Sequence, residues 1–92
     1  MANLSNINNK FLVTTGGNVG IGTTSPTVML HLASNNPKIR LQDTDGGYTE
    51  FSANNTDLVI RVDPDNVVGS STIQWEIDGS EYMRLSTQGR LG

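Results

Sequence analysis

The run Gly16-Gly17-Asn18-Val19-Gly20-Ile21-Gly22-Thr23-Thr24-Ser25-Pro26 leads, after Thr27, into Val28-Met29-Leu30-His31-Leu32. Four glycines within residues 16–22 exclude a helix, because glycine is costly in helix interiors. They suit extended backbone that turns sharply and packs closely against other backbone. Thr24-Ser25-Pro26 supplies a turn, since Pro26 fixes its own φ and holds Ser25 extended. Beyond the turn, Leu30 and Leu32 face one way and His31 the other, as in a strand.

Working outward from this run, the same period of two recurs. Residues 10–15 are β-branched and aromatic and read as a strand. Residues 27–33 form the next, and Ser34-Asn35-Asn36-Pro37 a loop. In residues 38–42, Ile39 and Leu41 alternate with charged and polar neighbours and are expected on the buried face. Asp43-Thr44-Asp45-Gly46-Gly47 reads as a hairpin connection. Residues 48–53 return with Phe51 and Ala53 on one face and Glu50 and Ser52 on the other. Leu58, Ile60 and Val62 share a face in the strand that follows, and Asp63-Pro64-Asp65-Asn66 stops it. Residues 71–78 alternate most clearly, with Ile73, Trp75 and Ile77 on one side. Asp78-Gly79 is a two-residue hairpin signal, and residues 81–86 come back with Met83 and Leu85 inward. The fold class expected is all-β, made of short antiparallel strands and hairpins, in two parts: an Asn-rich N-terminal lead-in or adaptor over residues 1–10 and one β-rich domain over residues 11–92. Within the lead-in, Leu4, Ile7 and Phe11 are spaced by three and four, as on one short amphipathic helical stretch, although four asparagines oppose it.

The order GNVGIGTTSP, a short variable segment, then LHL resembles a motif that recurs in bacteriophage tail-fibre and related virion fibre proteins. The resemblance extends over most of the chain through the DTDGG-type turn and the late polar strand that ends in a glycine pair. It implies an intertwined homotrimeric fibre segment, a shaft or connector holding a host-receptor-binding element, with other virion fibre or baseplate proteins as partners. In that setting Gly17, Gly20, Gly22 and Pro26 are structural motif residues, and Leu30, Leu32, Ile39, Leu41, Ile73, Trp75 and Ile77 line the trimer core. It also implies residence in the virion, made in the host cytoplasm and extracellular after lysis. The alternatives are a receptor-binding tip or decoration fibre recognising a host cell-surface glycan or protein, or a self-stacking filament subunit.

An internal repeat bears on the last of these. Residues 85–92, Leu-Ser-Thr-Gln-Gly-Arg-Leu-Gly, align with residues 13–20, Val-Thr-Thr-Gly-Gly-Asn-Val-Gly. Gly17 and Gly89, like Gly20 and Gly92, keep one offset of 72 residues. Such self-similarity marks repeat and fibrous arrays, and a heterologous contact that does not close generates a filament.

Composition narrows the function classes. Leu, Ile, Val and Phe make 23 of the 92 residues, above the level of a disordered chain, yet aromatics are only 5%. A chain this small buries little core alone, and association with a partner is one usual remedy. There is no cysteine, hence no disulfide and no thiolate metal site. A net charge of −3 opposes nucleic-acid binding, which wants a basic surface. No apolar run is long enough to cross a membrane, and the first residues lack the pattern of a signal peptide.

No enzymatic chemistry and no cofactor is expected. Gly17, Gly20 and Gly22 do not match the dinucleotide spacing and precede no helix. Asp43-Thr44-Asp45-Gly46 begins like a calcium loop but lacks its later ligands, including the distal Glu. His31, the sole histidine, would place three imidazoles on a trimer axis only if it faced inward. Asp43, Asp45 and His31 are therefore metal candidates that rank behind turn and surface roles. The serines have no G-x-S-x-G context. Glu76, Asp78 and Glu81, around one turn, read as a solvated face rather than a paired-carboxylate site.

Overall fold

The computed structural model describes residues 3–92, and every regular element among them is a β-strand: β1 (Asn3–Ile7), β2 (Phe11–Thr14), β3 (Val19–Ile21), β4 (Leu30–Leu32), β5 (Lys38–Gln42), β6 (Tyr48–Asn54), β7 (Asp57–Val62), β8 (Ile73–Ile77) and β9 (Ser80–Leu85). They form three sheets, ordered β1-β2-β3-β4, β5-β6-β7 and β8-β9. Backbone contacts gather the chain into two compact units, one holding residues up to Lys38 with Ser52–Leu58, the other Ile39–Phe51 with Val59–Gly92.

The asparagine-rich start is a strand, not a helical turn. Asn8 and Asn9 adopt φ of 53° and 59°, a left-handed conformation that asparagine tolerates far better than most residues. The chain reverses there, the Lys10 N–H donates to the Ile7 carbonyl at 2.9 Å, and β1 pairs antiparallel with β2, Ile7 opposite Phe11. The tip of this hairpin thus falls where the lead-in was expected to meet the β-rich domain. Met1 and Ala2 lie outside the described residues.

The glycine run builds the next two pairings. Gly17 turns at φ 87°, its N–H on the Thr14 carbonyl at 3.0 Å, and β3 returns antiparallel to β2. A side chain on Gly20 would sit 2.6 Å from the Thr23 carbonyl oxygen and 3.4 Å from Pro26 Cδ, so the connection folds back over this residue. Gly22 combines φ 83° with backbone contact: a Cβ would overlap the Ala33 carbonyl oxygen.

That folded connection has a consequence that corrects the all-antiparallel expectation, because β3 pairs with β4 in parallel, Val19 opposite Leu30 and Ile21 opposite Leu32. Parallel neighbours usually need a crossover of about a dozen residues or more; here residues 22–29 suffice. Asn18 Nδ2 donates to the Pro26 carbonyl at 3.4 Å across the connection. The N–H of Val19 donates to Met29 (2.8 Å) and that of Ala33 to Ile21 (2.9 Å), which fixes the register. Residues 27–29 stay outside the strand, so β4 is shorter than the alternation suggested.

In the second sheet Asp43-to-Gly47 closes a hairpin as expected, with Asp43 and Gly47 bonded through their backbones at 3.1 Å. In the third, Asp78 (φ 52°) and Gly79 (φ 79°) form a turn with both central residues left-handed, the type suited to a two-residue hairpin. Trp75 faces Met83 and Ile73 faces Leu85; a shift after Trp75 leaves Tyr82 as the bulged residue.

The 72-residue offset is a repeat of structure. In the first copy Thr14 N donates to Asn18 O (2.9 Å) and Gly17 N to Thr14 O (3.0 Å). In the second, Ser86 N donates to Arg90 O (3.1 Å) and Gly89 N to Ser86 O (3.0 Å). Gly89 is left-handed like Gly17, at φ 74°. Leu85 bridges Leu91 as Val13 faces Val19, and Arg84 exchanges two 2.7 Å bonds with Gly92 where Leu12 faces Gly20. Even the preceding tip recurs, since Asn8-Asn9 and Asp78-Gly79 are both left-handed pairs. Each copy is a meander of two successive hairpins.

Candidate interaction surfaces

Among the described residues Leu12 is the one large apolar side chain fully withdrawn from water; the other buried residues are Gly20 and Pro26 of the glycine run and the polar Thr14, Glu50 and Ser52. The pattern is clearest on β5 and β6. Arg40 lies between Ile39 and Leu41, and its guanidinium grips Glu50 through Nη2 and Nε at 2.8 and 3.0 Å. Arg40 also stacks on the Tyr48 ring, 3.9 Å from its centroid. This ion pair puts the polar alternates on one face, where Glu50 is 6% and Ser52 4% exposed. The apolar alternates point the other way, with Ile39 44%, Leu41 59% and Phe51 43% exposed. Within one chain the sheet is inside out: Ile39 and Leu41, expected on a buried face, are exposed, and so is the face that Phe51 and Ala53 share. The physical reason is local: a charge tolerates low exposure only when paired and hydrogen-bonded, and Glu50, held by Arg40, meets that condition.

The remaining residues expected in a trimer core behave alike. Leu30, Trp75 and Ile77 are exposed, and Leu32 and Ile73 half-buried. On β8 the alternation of Ile73, Trp75 and Ile77 is as expected, with Met83 and Leu85 opposite Trp75 and Ile73.

A second feature was missed in the sequence, where Asp63-Pro64-Asp65-Asn66 read only as a strand stop. Asp63, at φ 52°, spreads its carboxylate over the loop that follows. It accepts from the N–H groups of Val67 (3.0 Å) and Val68 (2.9 Å) and from the Ser71 hydroxyl (3.2 Å). The Val68 N–H above all holds its pKa below the ordinary carboxylate range. A Cβ on Gly47 would approach Asp63 Oδ1 to 3.0 Å, which gives a packing reason for the second glycine of Asp-Gly-Gly. Beside it lies an open hollow of ≈ 550 Å³ lined by Leu41, Tyr48, Val62, Asp63, Val68 and Ser71.

The metal candidates Asp43 and His31 are each engaged by a neighbouring backbone N–H. Asp43 Oδ1 accepts from the Asp45 N–H at 2.9 Å, an Asx turn inside the hairpin. His31 Nδ1 accepts from the Thr27 N–H at 3.2 Å. Among the described residues no three His, Asp or Glu side chains gather as a metal site. Glu81 pairs with Arg84 at 2.6 Å, which lowers the Glu81 pKa, and faces Glu76 across the hairpin while Asp78 occupies its tip. No helix among the described residues is long and apolar enough to cross a membrane. No family model, no curated protein and no solved structure matches this chain.

Proposed function

We propose that this chain is a non-enzymatic structural subunit of a bacteriophage fibre, a shaft or connector segment in which three copies cover one another's apolar sheet faces. The supporting observation is the inside-out sheet: Glu50 and Ser52 are enclosed while Ile39, Leu41 and Phe51 meet water. Contiguous exposed apolar surface is a mark of an association site, and covering each half-exposed side chain contributes roughly 1 kcal/mol. The phage assignment and the number three come from the resemblance of the glycine run and LHL to virion fibre repeats. The function is mechanical, holding a receptor-binding element away from the particle.

Light scattering on the wild type and on Phe51→Asp tests this. A charge on an exposed side chain costs a lone chain little, usually within about 0.5 kcal/mol. The expected result is a mass of three chains for the wild type and one for the variant. A folded wild-type monomer would refute the assembly. The second reading, a receptor-binding tip, draws on Tyr82, which the β9 bulge presents largely exposed; bulges re-aim side chains in this way. Glycan-array binding lost in Tyr82→Ala would favour it.

A further inference from the structure

Three features meet at the Asp63–Pro64 peptide bond. Asp63 stands directly before a proline with φ 52°. The residue before proline is pressed toward extended backbone, and a left-handed residue other than glycine stores strain. The Asp63 carbonyl, whose carbon carries the proline nitrogen, accepts from the Asn66 N–H at 2.9 Å. A donor so placed stabilises negative charge that develops on a carbonyl oxygen under attack. The Asp63 carboxyl is a nucleophile tethered to that same carbonyl, and an oxygen of it reaching the carbonyl carbon closes a cyclic anhydride. Proline also removes the competing reaction, because it has no N–H to attack the side chain and close a succinimide.

A clamp on the carboxylate keeps these parts from reacting. Oδ1 accepts from the Val67 N–H at 3.0 Å, and Oδ2 from the Val68 N–H at 2.9 Å and the Ser71 hydroxyl at 3.2 Å. Both oxygens that could attack are thus held toward the loop that follows. The titratable groups around them are Asp65, in hydrogen-bonding contact with Asp63, Asp43 and Tyr48 in the lining of the adjoining hollow, and Arg40 stacked on Tyr48. The bond itself lies between β7, which ends at Val62, and β8, which begins at Ile73. β8 pairs with β9 alone, so among the described strands no ladder spans it.

We propose that the Asp63–Pro64 peptide bond is a self-scission site, kept latent by the clamp of Val67, Val68 and Ser71. When the clamp opens, the protonated Asp63 carboxyl attacks the Asp63 carbonyl carbon. The bond from that carbon to the Pro64 nitrogen breaks, and the carboxyl proton passes to the nitrogen, which leaves as a secondary amine. Water then opens the anhydride and gives Asp63 a free α-carboxyl beside its side-chain carboxyl. The sum is hydrolysis of the peptide bond, with no co-reactant besides water. Acid favours the step twice, since protonation takes acceptor capacity from the clamped oxygens and supplies the proton that the amine carries away. The reaction is internal to one chain and does not rest on association of copies.

Intact-mass spectrometry of the full chain tests it, after incubation at neutral pH and at about pH 3.5, near the ordinary carboxylate value. The expected products are residues 1–63 and 64–92, together heavier than the parent by one water, formed in acid and not at neutral pH. Ser71→Ala takes one bond from the clamp and is expected to cleave about tenfold faster, the factor set by a hydrogen bond to a charged group. Pro64→Ala leaves the clamp in place and makes the leaving nitrogen that of an ordinary secondary amide; it is expected to cleave roughly tenfold slower. The bonds after Asp43, Asp45, Asp57, Asp65 and Asp78 are controls within the same chain, expected to stay whole over the same time. A wild type and a Ser71→Ala variant that both stay intact in acid would overturn the scission. Equal rates in the two would overturn the clamp. Cleavage after the other aspartates at the same rate, or no slowing in Pro64→Ala, would overturn the site.

Discussion

Gly22→Ala is expected to free β4 from its sheet, and Gly17→Ala is its natural control. Both glycines are left-handed, at φ 83° and 87°. An L side chain in that region costs about 1–2 kcal/mol. Gly17→Ala incurs only this cost, since nothing lies within 4 Å of the place its methyl would take. At Gly22 the methyl also overlaps the Ala33 carbonyl, so Ala33 must move. Its 2.9 Å bond to Ile21 and the neighbouring 2.8 Å bond from Val19 to Met29 are then lost, at about 1 kcal/mol each. The two variants therefore differ by about 2 kcal/mol, on the order of thirtyfold in an opening equilibrium. Native-state amide exchange at Val19 and Ala33 reads that equilibrium directly. Exchange at Ala33 should be accelerated on the order of thirtyfold more in Gly22→Ala than in Gly17→Ala. Equal acceleration in the two would refute the role assigned to backbone contact at Gly22.

Other outcomes follow from the same geometry. Leu12→Ala empties the one fully buried large apolar site among the described residues and should cost about 2–5 kcal/mol in denaturant unfolding. Asp63, whose pKa is held down by the Val68 N–H and its neighbours, contributes stability that is complete above the ordinary carboxylate range and is lost as pH falls through the depressed value. Protection of the Val67 and Val68 amides should fall along that limb, and Asp63→Asn, which keeps the left-handed preference, should remove the pH dependence. Arg40→Ala should loosen the β5–β6 hairpin more than Lys38→Ala, because it strips both the Glu50 pair and the Tyr48 stack; amide exchange across residues 38–54 measures the difference.

The strands and turns were largely legible in the sequence. Lys38 to Gln42 forms over the expected span because its alternation has no breaker inside it, and Asp78-Gly79 turns where it should because both residues accept positive φ. The 72-residue repeat was visible in eight letters, since left-handed glycines at equivalent positions leave few substitutes. What alternation does not carry is the sign of burial. Phe51 and Glu50 differ by one position, and a period of two separates them without saying which side is covered. The Arg40–Glu50 pair decides that, and its partners lie on different strands. The spacing of Leu4, Ile7 and Phe11 suggested a helix, but the left-handed Asn8 and Asn9 prevail. The parallel course of β4 was hidden because it depends on the Gly20 and Pro26 contact, a tertiary fact.

The order of strands within each sheet follows the order of the chain. Each ladder therefore closes over a short loop, with little entropy to overcome, and isolated hairpins of this kind form within roughly 1–10 μs. A nascent chain can set each meander before the next is made. In the proposed assembly, lasting stability waits on an encounter between copies, a step whose speed depends on how many are present. Refolding from denaturant should accordingly show a fast phase indifferent to protein concentration and a slow phase whose rate rises with it.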